Sequence, residues 1–231
     1  MRESRVEFRS ILVVVAHPDD VELGAGGSVA KWCAGGAAVR LVVATNGDKG
    51  TKDLSLSPHR LAEMREAEQR RAAETLGVRE VIFLRHRDGE LEDTGVFRHQ
   101  VAFLIRHYRP DTLLTHDPFR RDYSHPDHRA VGHGAFKAII SARDHHFLPE
   151  LTHVGIGPHH VSNLLYMQSE RPDFFVDIRD TIDRKLEAVG AHESQVHEPE
   201  RMRARVLERA SEWGRQGGLE LAEGFALIQM R

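Results

Sequence analysis

Short runs of β-branched and aliphatic residues, each followed by one to two dozen residues at helical spacing, limit how this chain can fold. The runs lie at residues 11–15, 39–44, 81–84 and 111–115, and the helical stretches at 28–34, 58–76, 97–108 and 128–142. Strands separated by helices cannot be joined by tight hairpins. The helix carries the chain back across the sheet, so the strands run parallel and both faces of the sheet are covered. The ends of the second helical stretch carry their own signals: Pro58 suits a first turn, whose N–H groups have no helical partner, and Gly77 suits the turn that ends a helix.

After residue 143 the pattern loosens. A long connection leads to further strands at 162–167 and 174–178, and helices near 179–192 and 199–215 are expected to close the chain. In the last of these, Met202, Val206, Ala210 and Trp213 form an apolar stripe, which either docks on the chain's own core or meets another subunit. With 231 residues, 40% of them hydrophobic and 29% charged, the chain fits one α/β domain over residues 1–231 with a mostly parallel sheet. A formal charge of −3 offers no polyanion-binding surface, so no nucleic-acid partner is expected. The apolar run at 11–16 is too short for a membrane span or a secretory signal, which points to a cytoplasmic protein. Cys33 is the only cysteine, so internal disulfides and thiolate cages are excluded and any metal must be held by His, Asp or Glu.

Two segments carry the chemistry. AlaHisProAspAspValGlu, residues 16–22, follows the first strand directly, where open parallel sheets bind ligands. His17 and Asp20, three apart around a proline-fixed turn, can aim an imidazole and a carboxylate at one point. ThrHisAspProPheArgArgAspTyrSerHisProAspHis, residues 115–128, follows the fourth strand, and its His125 and His128 are three apart, sharing a face if a helix begins there. One histidine of this pair, added to His17 and Asp20, completes an open set of two imidazoles and one carboxylate, as in hydrolytic zinc sites, and leaves the other free to act on substrate. A single HisProAsp is ordinary turn sequence. Two of them, each behind a strand, point to a metal centre.

With these residues in place, the sequence resembles the PIG-L/LmbE family of zinc de-N-acetylases, in which AlaHisProAspAsp opens the chain and HisProAspHis follows the fourth strand. The resemblance extends to Arg65 and Glu68, to AspIle at 177–178, and to Lys185, His192, Ser194 and Gln195. It implies a three-layer Rossmann-like fold and removal of the acetyl group from an N-acetylglucosamine conjugate or oligosaccharide. It further implies one zinc ion held by His17, Asp20 and His128, with Asp19 as the general base that deprotonates the metal's water. His125 is then the group that stabilises the tetrahedral oxyanion, Asp127 orients a histidine ring, and Tyr123 contacts the intermediate or packs in the interior. Arg65 either pairs with Glu66 or Glu68 or reaches a sugar hydroxyl or phosphate. His159 and His160, ending a glycine-rich loop, are candidates for lining the substrate cleft, and residues 143–175 for setting specificity. Family members of this size assemble as trimers or hexamers, which the final helix permits.

Other readings are weaker. GlyAlaGlyGly at 24–27 lacks the third glycine of a dinucleotide-binding turn, since position 29 is Val, and it lies too far beyond the strand. Ser28 is not on a strand-to-helix elbow. A non-haem Fe(II) triad needs no spare base such as Asp19. An amidase acting on a thiol-sugar conjugate remains an alternative substrate class. A metal-dependent sugar-binding module without turnover would need neither Asp19 nor His125.

Overall fold

The structure, a computed structural model, describes residues 7–121 and 125–230. Along the chain lie β1 (Ser10–Val15), α1 (Asp20–Ala34), β2 (Ala38–Thr45), α2 (Pro58–Leu76), β3 (Glu80–His86), α3 (Gly95–Tyr108), β4 (Thr112–His116), α4 (Pro126–Arg143) and α5 (Pro149–His153). They are followed by β5 (Asn163–Met167), β6 (Phe174–Asp177), α6 (Ile182–Gly190), α7 (Pro199–Gly217) and β7 (Ala222–Gln229). The strands form one sheet in the order β3-β2-β1-β4-β5-β7-β6. β1 to β5 pair in parallel, and β7 runs antiparallel between β5 and β6.

β1 explains why the sheet lies between two layers of helices. Ile11, Val13 and Val15 join a core with α1, α2, α6 and α7, while Leu12, Val14 and Ala16 join a second core with α3 and α4. A strand buried on both faces reads as an unbroken apolar run, which is how this one reads. The stripe on α7 docks on the first core, with Val206, Ala210 and Trp213 buried. No helix among the described residues is long and apolar enough to cross a membrane.

Three elements differ from expectation. α1 begins at Asp20, eight residues before the expected start at Ser28, because the glycines that weaken its helix propensity serve packing instead: a Cβ on Gly27 would lie 2.9 Å from Ile178 Cβ. The chain does not close on a helix but on β7, whose Glu223 accepts hydrogen bonds from Gly27 N (3.0 Å) and Ser28 N (2.7 Å) and pairs with buried Lys185. The short α5 interrupts the long connection after α4.

Candidate active site

The direction of winding reverses between β1 and β4, since β2 and β3 extend to one side and β5, β7 and β6 to the other. In open α/β sheets, ligands bind beyond the carboxyl ends of the strands at such a reversal. Both histidine motifs emerge there. After β1, Pro18 turns the chain and Asp19 becomes the N-cap of α1 at φ 94° and ψ −20°. This left-handed backbone costs a non-glycine residue roughly 1–2 kcal/mol. Beyond β4, Pro126 opens α4 with His125 as its N-cap, and His128 stands in the first turn. A Cβ on Gly132 would fall 2.6 Å from the His116 carbonyl oxygen, so α4 rests directly on the end of β4 and brings His128 within reach of β1's loop.

Three donors meet here. His17 Nδ1 lies 3.2 Å from His128 Nε2 and 3.5 Å from Asp20 Oδ2, and His128 Nε2 lies 3.2 Å from Asp20 Oδ1. Ligands placed tetrahedrally at zinc's bond length of about 2.05 Å sit about 3.3 Å apart, so this spacing fits one divalent ion. His17, Asp20 and His128 form one cluster able to hold a metal, and His17, Asp88, His125 and Asp127 form another. The two divide the His17 ring between them. Its Nε2 lies 3.1 Å from Asp88 Oδ1 and 3.2 Å from Asp127 Oδ2, so the second cluster supplies what a histidine ligand ordinarily has, a carboxylate on its other nitrogen. Asp127 is fully buried and also accepts from Gly89 N (2.7 Å) and Leu91 N (3.1 Å), which ties the β3–α3 loop to α4.

The charges are tightly balanced. Burial works against protonation of His17, but hydrogen bonds from its ring to Asp127, Asp20 and Asp88 outweigh it and push the imidazole up to about 11. A cation entering the site therefore displaces a proton. Burial likewise opposes ionisation of Asp20, yet His128 and His116 hold its carboxyl well below the usual range. His116 Nε2 lies 3.1 Å from Asp20 Oδ2 and its ring stacks on His128 at 4.2 Å; burial first of all lowers it to about 4, against the pull of Asp20.

Asp19 is held separately. Arg65, almost fully buried, donates to Pro18 O (2.6 Å) and Gly47 O (3.0 Å) and pairs with Asp19 Oδ2 at 3.3 Å. Burial lifts the Asp19 carboxyl to about 6 although the Arg65 guanidinium pulls it down. His125 has the most open ring of the group, with its side chain 39% exposed and 4.3 Å from the His17 ring.

Of the residues singled out in the sequence, His17, Asp19, Asp20, His125, Asp127 and His128 gather at this edge. Arg65 lies beneath Asp19, paired with it rather than with Glu66 or Glu68. Tyr123 lies outside the described residues. His159, with His160 next to it in the chain, lies away from this cluster: His159 Nε2 contacts Pro110 O at 2.7 Å and its N–H donates to Ala142 O, both at the opposite edge, where β4 begins and α4 ends. The start of the 143–175 segment is anchored at that far edge too, because α4 carries the chain down the full height of the sheet. Arg106 there donates to the carbonyls of Ser141, Ala142, Asp144, Phe147 and Leu148. Two supporting residues escaped the sequence reading. Asp88 stands two residues past β3, the offset His17 has from β1, and His116, inside the 115–128 segment but given no role at the site, is the last residue of β4.

Residues 12–139 match the family model PIG-L: GlcNAc-PI de-N-acetylase, and the chain belongs to the PIG-L family. It is 34% identical over 96% of its length, and 84% of the relative's, to the diacetylchitobiose deacetylase of Thermococcus kodakarensis. The structure of the N,N'-diacetylchitobiose deacetylase from Pyrococcus horikoshii superposes with a TM-score of 0.93 at 31% identity, covering 96% of this chain and 85% of that one. GalB of Pseudomonas putida KT2440, a 4-carboxy-2-hydroxymuconate hydratase, superposes with a TM-score of 0.83 at 26% identity over 96% of this chain and 97% of its own.

Proposed function

We propose that this protein is a zinc-dependent hydrolase that removes the acetyl group from an N-acetylglucosamine unit, with a short oligosaccharide such as diacetylchitobiose as the first substrate class. The similarity to two diacetylchitobiose deacetylases supports the substrate. One observation carries the chemistry: beside a three-donor cluster spaced for a tetrahedral ion stand a half-buried carboxylate, Asp19, and an open histidine, His125, that metal binding does not require. His17, Asp20 and His128 would hold the ion, which when bound polarises the amide carbonyl and acidifies water.

The chain's own groups supply the rest. Asp19, with a carboxyl at about 6, accepts the proton of the attacking water near neutral pH, where a base of that strength is most effective. Arg65 keeps this carboxylate aimed. His125 donates an N–H to the carbonyl oxygen as it gains negative charge. The water oxygen bonds to the acyl carbon, Asp19 passes the proton it took to the nitrogen as the C–N bond breaks, and acetate and the amine leave with Asp19 ionised again. Asp19→Asn should keep its metal and lose about 100- to 10,000-fold in acetate release. Near-full activity in that variant would remove Asp19 from the role of base.

A further inference from the structure

Behind Asp19 lies a chain of buried polar side chains that the reaction above does not use. Gln69, Glu22 and His192 are each fully buried, and none belongs to the metal cluster. The Gln69 amide accepts from Asp19 N at 3.0 Å and donates to Glu22 Oε1 at 2.7 Å. Across the same carboxylate, His192 Nε2 lies 3.3 Å from Glu22 Oε2. His192 is set in place by its neighbour Ser194, whose N–H and hydroxyl both donate to Glu68 on α2, at 2.8 and 2.6 Å.

The geometry around one peptide group gives this chain a purpose. Pro18 O and Asp19 N are the two poles of the peptide that enters Asp19. Arg65 donates to the oxygen and Gln69 accepts from the nitrogen. Four residues apart on α2, the two share a face, so a single helix grips both ends of the peptide that sets the left-handed backbone of Asp19. An amide can turn over, but Glu22 prevents it. An ionised carboxylate only accepts, so the Gln69 NH2 must face Glu22 and its oxygen must face Asp19.

We propose that Gln69 is a positioning residue for the general base, its amide orientation enforced by Glu22 and His192, and that with Arg65 it clamps the Pro18–Asp19 peptide so that the Asp19 carboxylate points at the reacting water. The proposal rests on Asp19 being the base. Burying polar groups is costly unless they are partnered, and here Gln69 is hydrogen-bonded on both sides, to Asp19 N and to Glu22 Oε1, while His192 stands at ion-pair distance from the other Glu22 oxygen.

The test uses the full-length, metal-loaded protein with N,N'-diacetylchitobiose, measuring kcat, KM and metal content for wild type, Gln69→Met, Asp19→Asn and the double variant. Gln69→Met should lower kcat about 10- to 100-fold with KM and metal content unchanged, and should cost less than about twofold more in the Asp19→Asn background, because both changes act through one group. Loss of the same factor in both backgrounds, or loss that follows metal content or KM, would show a merely structural role and overturn the clamp. Wild-type kcat in Gln69→Met beside an inactive Asp19→Asn overturns the clamp alone, whereas wild-type kcat in Asp19→Asn overturns the base assignment and the clamp with it. Glu22→Gln, which keeps the shape but frees the amide to turn over, provides a second variant should Gln69→Met not fold. It should lose kcat by several-fold at constant metal content, and an unchanged kcat in it also overturns the clamp.

Discussion

Both nitrogens of His17 are committed, Nδ1 toward Asp20 and His128 and Nε2 toward Asp88 and Asp127, so the ring can neither rotate nor be replaced by another donor without loss on one side. Purified wild type should carry about one divalent ion per chain and His128→Ala should lose most of it, as read by elemental analysis; full retention would move the third ligand to His125. A pH effect follows from His192. Burial pulls its imidazole down, but Glu22 outweighs burial and raises it above 6.5. A group raised on folding contributes stability that is complete below its unfolded value and is lost as pH climbs through the folded one. The melting temperature of His192→Gln should therefore fall furthest below wild type under pH 6.5 and approach it as pH rises above that value; a deficit that grows with pH would mean that His192 is not charged against Glu22. At this scale the sequence was informative where residues stand close together behind a strand, as in 16–22 and 115–128. It was silent on Gln69 and Glu22, 47 positions apart, because nothing local marks a contact made between two helices.

The helices and strands were legible where hydrophobic period and end signals agreed, and misread where glycine served packing. α2 ends as Pro58 and Gly77 suggest, with Gly77 at φ 84°. α1 was read short because Gly24, Gly26 and Gly27 look like a break when no partner is in view. β7 was missed because its neighbours, β5 and β6, come from far earlier in the chain. Between α3 and α4, Arg106 is the element-scale fastener: it is 2% exposed and donates to five backbone carbonyls. Arg106→Met should cost about 3 kcal/mol by stranding several of these, lowering the melting temperature by about 6–12 °C. Metal content should be unchanged, because the site is at the other end of α4. A variant that melts with wild type would show those carbonyls satisfied without it.

The whole molecule places its chemistry where its topology changes direction. Two hydrophobic cores, one on each face of the sheet, fix β1 beside β4, and that adjacency brings together motifs about a hundred residues apart, as the 3.2 Å contact between His17 and His128 across 111 positions records. The alternation of strand and helix was enough to foresee the layered sheet. Where residues 143–175 would lie could not be foreseen, since that depends on the length of α4 and on which edge of the sheet its end reaches. The fold alone does not fix the reaction either, because a hydratase shares it, and a hydratase would add water without releasing acetate. The most direct measurement is therefore to strip the purified protein with a chelator and supply N,N'-diacetylchitobiose with and without added zinc, quantifying acetate and free amine. Equal amounts of both, released only when metal is restored, are expected; no acetate from the zinc-loaded protein, or acetate release indifferent to chelation, would contradict a metal-dependent de-N-acetylase.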